Sequence, residues 1–284
     1  MSFVERLQAC AVFDPAGYLP FSIEGADVGL MRPEFAAHLA EFPAVFDVDA
    51  DFVRLQPALD HPDVRTQAVD DVLRLLATRG VLSGWREEVY PVAPRPEMRP
   101  LMTLERAAVP LFGVWASGVH INGFVRDGSE LLMWVGRRSP DKQTAPNKLD
   151  QIVAGGRSAA YSIFETVIKE SEEEAGIETG LIRYARPVGA LSYCTERPEG
   201  LRRDVLYLFD LELPPDFVPV NRDGEIAEFM LWPVDRVREM VRDTEAFKFN
   251  CALVVIDFLI RHGVLSPDDE ADYLAIVHGL HAPR

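Results

Sequence analysis

The stretch GGRSAAYSIFETVIKESEEEAGI, residues 155–177, decides the fold because it joins a glycine pair, a helical segment and a cluster of carboxylates. The spacing of its residues predicts a helix over 162–175. Residues three and four apart lie on one face of a helix, so Glu170, Glu173 and Glu174 point the same way. The stretch therefore predicts a strand-to-helix turn whose helix presents three carboxylates together.

This acidic face has two interpretations. Acidic runs on helices are usually solvated surfaces, and an acidic chain contains some by chance. Like charges at this spacing repel each other, and near a helix C-terminus they also oppose the helix dipole. A divalent cation would turn that repulsion into coordination, since Mg²⁺ prefers carboxylate, water and phosphate oxygens. The glycine pair and the expected left-handed cap at Gly176 favour the metal site.

The stretch resembles the Nudix box, whose pattern is G-x5-E-x7-R-E-U-x-E-E-x-G-U with U an apolar residue. The matched positions are Gly155, Lys169 in the arginine place, Glu170, Glu173, Glu174, Gly176 and Ile177. Three positions depart: Tyr161 replaces the first glutamate, Lys169 replaces arginine, and Ser171 replaces the apolar residue. Lysine keeps the charge but lacks the planar fork of arginine. In the family, the glutamate missing at Tyr161 more often supports the site than ligates the metal.

The resemblance implies a hydrolase that splits a diphosphate linked to another group with the help of Mg²⁺ or Mn²⁺. The metal ligands it implies are Gly155, through its carbonyl oxygen, Glu170, Glu173 and Glu174. Of these, Glu170 and Glu174 are the direct ligands, and Glu173 serves a second ion or holds a water. Lys169 would orient the carboxylates from the same helix.

Further site residues are expected outside the box. A loop carboxylate commonly serves this fold as ligand or general base; Glu225 is favoured for that role and Glu228 is the alternative. The candidates for holding the substrate phosphates are Arg137, Arg138, Lys148 and the backbone at Gly156. Because side chains alternate along a strand, at most one of Arg137 and Arg138 points directly into the site.

Similarity beyond the box covers almost the whole chain and is closest to one Nudix subfamily, whose members carry an extra N-terminal domain and are linked to thiamin diphosphate metabolism. The segments that carry it include 118–124, 132–139, 148–156, 187–193 and 223–229. The resemblance implies that thiamin diphosphate or a damaged analogue is cleaved to the monophosphate and phosphate. The alternatives are a nucleoside or dinucleotide diphosphate substrate, a noncatalytic ligand sensor, which Tyr161 and Ser171 favour, and, more remotely, a Nudix isomerase.

The composition of the chain indicates which binding partners and which cellular compartment to expect. The 284 residues carry a formal net charge of −16, which argues against binding to nucleic acid or anionic membranes. Three cysteines without CxxC spacing predict a reducing, cytoplasmic setting rather than a disulfide framework. The sequence shows no signal-peptide core and no apolar run of membrane-spanning length. We expect a small-molecule diphosphate as the binding partner. A homodimer is one of the assemblies that we expect.

The order of predicted elements indicates an α+β chain of two domains. Residues 1–113 alternate short strands and helices and form an N-terminal α+β domain, in which the proline-rich stretch 91–100 is interpreted as a linker. Residues 114–284 begin with a strand hairpin and continue with the box helix, further strands and two closing helices. By the resemblance, this second domain is a Nudix α/β/α sandwich.

Overall fold

The structure is a computed structural model that describes residues 2–282. Its N-terminal part is built of short elements around a four-stranded sheet of order β2-β1-β4-β3, in which β1 and β4 run parallel. The elements in chain order are α1 (Phe3–Gln8), β1 (Leu19–Ile23), β2 (Ala26–Met31), α2 (Pro33–Leu39), β3 (Phe46–Val48), β4 (Val53–Leu55), α3 (Pro62–Thr78), β5 (Val89–Val92), β6 (Met102–Glu105) and α4 (Val109–Phe112).

The core of this part is organised around Phe112, which is fully buried at the end of α4. The rings of Phe21, Phe35 and Phe46 lie 5.3, 5.4 and 6.2 Å from that of Phe112. Such edge and tilted contacts are the favoured geometries for aromatic pairs. The four rings join strands β1 and β3 and helices α2 and α4 in one apolar cluster.

The proline-rich stretch belongs to this part as well, and its interpretation as a linker is wrong. Pro91 and Val92 lie in β5, which pairs antiparallel with β6. Leu101 N–H donates to the Val92 carbonyl at 2.8 Å, so the prolines fill the connection of a hairpin. Proline is tolerated there because an edge strand has backbone N–H groups that need no partner within the sheet.

The remaining elements form an α/β/α sandwich, as the sequence predicted. They are β7 (Trp115–Asp127), β8 (Glu130–Arg138), β9 (Leu149–Asp150), β10 (Val153–Gly156), α5 (Ile163–Ala175), α6 (Thr179–Ile182), β11 (Arg186–Arg197), β12 (Gly200–Glu212), β13 (Ile226–Pro233), α7 (Val234–Asp243), α8 (Phe249–Arg261) and α9 (Tyr273–Leu280). The sheet has the order β11-β12-β7-β8-β13. Strand β7 also pairs with β10, and β8 also pairs with β9.

The alternation of side chains along β7 separates the two helical layers. Val119 and Ile121 face one side of the sheet, where they share a core with Val167 of α5. Phe124 faces the other side and packs against Phe258 of α8, with ring centres 5.7 Å apart. The helix with the carboxylates and the apolar helix α8 therefore cover opposite faces of one sheet.

Helix α1 joins the N-terminal end of the chain to the layer of α8. Phe3 and Leu7 are buried in the same core as α8 and α9, although most of the preceding part packs elsewhere. The predicted boundary between residues 113 and 114 stays a prediction. Among residues 2–282, no helix combines the length and apolar character needed to cross a membrane.

Candidate functional site

Helix α5 has well-defined ends, and these ends fix which residues share its carboxylate face. Ser162 Oγ accepts the Glu165 N–H at 3.3 Å, while the Glu165 carboxylate accepts the Ser162 N–H at 2.8 Å, which completes a capping box. Gly176 ends the helix in the left-handed conformation with φ of 63°. The expected helix over 162–175 is therefore confirmed to within one residue.

The close approach of Glu170 to strand β10 explains the first glycine of the box. A Cβ atom added at Gly155 would lie 2.2 Å from the carboxyl carbon of Glu170, a distance that real contacts do not reach. The Glu170 carboxylate therefore packs directly against the Gly155 backbone. One turn further on, Glu174 Oε accepts the Ala154 N–H at 2.8 Å. Strand β10 thus lies against two carboxylates on successive turns of helix α5.

The negative charges of these two carboxylates are destabilised by burial and by mutual repulsion. Burial raises the pKa of Glu174 well above its usual value, and the neighbouring Glu170 raises it further. Burial also raises the pKa of Glu170, which Lys169 only partly offsets. A bound divalent cation would relieve this cost, since it stabilises the ionised form of both groups. The oxygen-rich donor set fits a hard metal ion.

Lys169 lies where its ammonium group can hold the carboxylates in place. Its Nζ is 3.0 Å from Glu170 Oε1 and 2.7 Å from Glu173 Oε2. Burial alone would lower the pKa of Lys169, but the bond to Glu173 and the charge of Glu170 raise it above its usual value. The lysine is therefore a permanent cation between the two glutamates. Glu173 is nearly half exposed, in agreement with a more peripheral place than Glu170 and Glu174.

Of the two candidate loop carboxylates, the structure brings Glu225 to this cluster. The negative charge of Glu225 raises the pKa of both Glu170 and Glu174. Glu228 instead lies on β13, is 56% exposed in its side chain, and pairs with Arg137 at 3.3 Å. Glu225 therefore remains the better candidate, whereas Glu228 and Arg137 form a surface ion pair.

Lys142 is a site residue that sequence reasoning missed. Its ammonium group pairs with the Glu225 carboxylate. Burial would raise the pKa of Glu225, but the hydrogen bond and charge of Lys142 outweigh it and lower that pKa. Lys142 lies in the polar loop 139–148, which has no periodicity that indicates where its side chains point. The Ser139 N–H also donates to the Glu225 carbonyl at 2.8 Å, so backbone and side chain both hold this loop at the site.

Two predicted phosphate contacts are engaged elsewhere. Arg138 is 4% exposed; its Nη1 donates to Asp150 Oδ2 at 2.9 Å, and its other nitrogens donate to the carbonyls of Thr144 and Ala145. The Arg138 guanidinium therefore organises the loop from inside, and its contact with the substrate phosphates stays a prediction. Lys148 Nζ donates to the Glu245 carbonyl at 2.6 Å, so its role in phosphate binding stays a prediction.

Behind the site lies a buried polar cluster of His120, Asp150 and Cys251, whose ligand-type atoms are within 4.8 Å of one another. The Cys251 thiol donates to Asp150 at 2.7 Å. Burial, and to a smaller extent the charge of Asp150, raise the pKa of the thiol well above its usual value. In this arrangement the thiol is a hydrogen-bond donor, whereas a metal ligand would be the thiolate.

The charge of Asp150 is already balanced by two cations. Arg138 and Lys248 lie 2.9 and 3.9 Å from it. His120 Nδ1 is 2.8 Å from Gln151 Oε1, so the ring also has a partner. We interpret the cluster as an internal network that supports strand β9.

The N-terminal part of the chain contacts the loop between β10 and α5 directly. Ala159 N–H donates to the Val89 carbonyl at 2.8 Å. A Cβ atom at Gly156 would lie 1.8 Å from the Tyr90 hydroxyl oxygen, so the second glycine leaves room for that phenol. The loop that carries the box glycines is therefore held from both sides, by its own sheet and by β5.

Comparison with known proteins identifies this arrangement. The sequence model of the NUDIX domain matches residues 117–251, and that of a domain of unknown function, DUF4743, matches residues 2–116. The chain is 42% identical over 260 residues to Nudix hydrolase 20, chloroplastic, of Arabidopsis thaliana, a match that covers 88% of this chain and 70% of that protein. The chain belongs to the Nudix family.

The chain is also similar to other Nudix proteins. Nudix hydrolase 24, chloroplastic, of Arabidopsis thaliana is 41% identical over 270 residues, which cover 94% of this chain and 74% of that protein. A solved NUDIX domain of Shewanella oneidensis NrtR, complexed with ADP ribose, is 13% identical with a TM-score of 0.43 and covers 54% of this chain and 91% of its own. As a Nudix hydrolase, the chain acts on a phosphoric anhydride, and members of the family generally use divalent metals.

Proposed function

We propose that this Nudix hydrolase is a pyrophosphohydrolase that cleaves thiamin diphosphate or one of its damaged analogues to the monophosphate and phosphate. The observation that carries the reaction is the packing of Glu170 against Gly155, beside the buried Glu174 and within electrostatic reach of Glu225, where like charges need a cation. The similarity of the chain to the subfamily linked to thiamin diphosphate metabolism supports the substrate.

We assign the metal-holding role to Glu170, Glu174 and the Gly155 carbonyl, with Glu173 at the rim. When bound, Mg²⁺ or Mn²⁺ polarises the phosphoryl oxygens. Lys169 holds the carboxylates at 2.7 and 3.0 Å, so that they are ordered before substrate arrives. Hydrolysis adds the oxygen of water to phosphorus and breaks the bridging P–O bond, which gives monophosphate and inorganic phosphate.

Glu225 is the proposed general base. Lys142 lowers its pKa despite partial burial, so that the carboxylate is ionised at neutral pH and can take a proton from the attacking water. A base must be within hydrogen-bond reach of that water, and the charge of Glu225 acts on both Glu170 and Glu174. Glu228, which is paired with Arg137 at the surface, is the matched control for this role.

The missing box glutamate does not leave Lys169 without partners. Lys169 pairs with Glu170 and Glu173 of its own helix, while Tyr161 is 40% exposed before the helix begins. The site therefore keeps a balanced arrangement of carboxylates and one cation without a carboxylate at position 161. This balance favours hydrolysis over the alternative of a noncatalytic sensor.

The substrate is tested by measuring monophosphate and phosphate from a panel of thiamin diphosphate, its oxidised analogues, and nucleoside and dinucleotide diphosphates. Each is assayed with Mg²⁺, with Mn²⁺ and with chelator. We expect metal-dependent turnover with the highest kcat/KM for a thiamin compound. A higher kcat/KM for a nucleotide would overturn the substrate, and tight binding without any turnover would overturn the reaction.

A further inference from the structure

Arg106 extends from the N-terminal part of the chain to the glycine pair of the box. It follows strand β6, and its Nη2 atom lies 3.8 Å from the position that a Cβ on Gly156 would take. Its other terminal nitrogen, Nη1, donates to the Glu88 carboxylate at 2.6 Å. The guanidinium therefore has one nitrogen fixed by Glu88 and the other directed to the loop beside the carboxylates.

The backbone holds this arginine in a defined position. Arg106 N–H donates to the Glu88 carbonyl at 2.8 Å, and the Glu105 carboxylate accepts the N–H of the next residue, Ala107, at 3.1 Å. The Arg106 side chain is nevertheless 42% exposed, so a ligand can reach it. Tyr90, whose ring centre lies 5.7 Å from the guanidinium carbon, supports it from the protein side.

The charge balance of the site shows why such a cation is needed. The two lysines of the site are already paired with carboxylates, Lys169 with Glu170 and Glu173, and Lys142 with Glu225. A diphosphate that enters brings further negative charge. The charge of Arg106 reaches the site: burial would raise the pKa of Glu225, whereas Lys142, then Arg138 and then Arg106 lower it. A guanidinium also matches phosphate oxygens with two parallel hydrogen bonds.

We propose that Arg106 binds the diphosphate of the substrate across the glycine pair Gly155–Gly156, so that the N-terminal part supplies a substrate contact. The inference rests on the proposed function, because it places a phosphate at the same carboxylates. It makes the N-terminal part a component of the site rather than a separate module.

The test compares R106Q with R79Q in the full chain. Arg79 is a matched control: its side chain is also 42% exposed and it pairs with Glu41 at 2.7 Å, within the same part of the chain. We measure kcat and KM for the best substrate of the panel, and the Kd of methylene diphosphonate, a probe that is not hydrolysed, by calorimetry with Mg²⁺. R106Q is expected to raise KM and Kd about 10- to 100-fold, the usual loss for one charge-assisted hydrogen bond. R79Q is expected to change neither by more than about twofold.

E88Q separates a ligand contact from a structural ion pair. It frees Arg106 of its carboxylate partner but keeps the guanidinium, so the diphosphonate should bind at least as tightly as it does to the wild type. Unchanged binding in R106Q, or equal weakening in E88Q and R106Q, would overturn the inference. The probe is not a substrate, so the binding result stands even if the panel gives no turnover. If R106Q does not fold, R106K takes its place, since lysine keeps the charge but loses the paired hydrogen bonds and should weaken binding of the diphosphonate; unchanged binding in R106K would overturn the inference.

Discussion

At the scale of single residues, the absence of a side chain at position 155 is as important as the charges around it. Glu170 occupies the space that a Cβ at Gly155 would fill. Helix spacing predicted the shared face of Glu170, Glu173 and Glu174, whereas the resemblance to the box implied that Gly155 belongs to the same metal site. It could not predict Lys142 or Arg106, since each reaches the site from a segment distant in sequence.

Arg138 shows what alternation along a strand does not predict. Alternation along β8 correctly separated it from Arg137, but it does not tell which face is the interior. Arg138 turned out to bind Asp150, which comes from β9 on the far side of the loop 139–148. A buried ion pair of this kind forms because two strands pack side by side, and the pattern of residues within one strand does not predict which strand will be its neighbour.

His120 gives a prediction on the pH dependence of stability. Burial lowers its pKa from 6.5 to about 4 in the folded chain. Below pH 6.5 the unfolded chain binds a proton at this histidine that the folded chain does not bind. The free energy of unfolding therefore keeps the full contribution of the neutral His120 above pH 6.5, and this contribution is lost as the pH falls through about 4. Between pH 7.5 and 5 the wild type should lose about 2 kcal/mol more than H120Q.

Urea unfolding at several pH values measures that difference, with H278Q as the control because His278 is exposed. Parallel pH profiles for the wild type and H120Q would show that the buried imidazole is not the titrating group.

At the scale of elements, the signals at the ends of helices were the most informative. The capping box at Ser162 and the glycine at 176 set the limits of α5 in the sequence and in the structure alike. The strand hairpin of β7 and β8 was also expected from its glycine turn at Gly128. The short strands β9 and β10 were not expected, because two to four residues are too few to show a period. They form only because β7 and β8 present free edges to them.

The cap of α5 gives a second prediction. S162A removes the oxygen that accepts the Glu165 N–H, and the free energy of unfolding should fall by about 1 kcal/mol. S162D keeps an acceptor at the same position and also places a negative charge at the helix N-terminus, so it should restore the loss. Chemical denaturation of the three proteins measures both effects. If S162D loses as much stability as S162A, the cap does not stabilise the helix.

At the scale of the whole molecule, the two parts of the chain meet at the site. The contacts of Val89, Tyr90 and Arg106 with the loop after β10 could not be predicted from the sequence, which showed no ligand pattern in residues 1–113. The order of strands and helices did predict the extra N-terminal α+β part, and the resemblance to the Nudix family implied the sandwich. A cytoplasmic setting, the lack of nucleic-acid or membrane partners and a homodimer stay predictions.

The contact between Tyr90 and Gly156 tests this meeting of the two parts. G156A places a methyl group against the Tyr90 hydroxyl, and we expect it to destabilise the fold by about 1–3 kcal/mol. Y90F removes that hydroxyl, so the loss in G156A/Y90F should be smaller than the sum of the two single losses. The control is G180A in α6, where an added Cβ meets no atom within 4 Å. Additive losses in the double variant would show that the two residues do not touch.

The central claim is that the carboxylates at Gly155 hold the metal that drives hydrolysis. The most direct test is phosphate release from the best diphosphate of the panel as a function of Mg²⁺ concentration, in the wild type, E170Q, E174Q and the control E172Q. Glu172 lies on the same helix but is 60% exposed and pairs with Arg222 at 3.3 Å. The account predicts that E170Q and E174Q lose about 100-fold or more in kcat and require more Mg²⁺, while E172Q behaves as the wild type. Metal-dependent turnover that persists unchanged in E170Q and E174Q would contradict it.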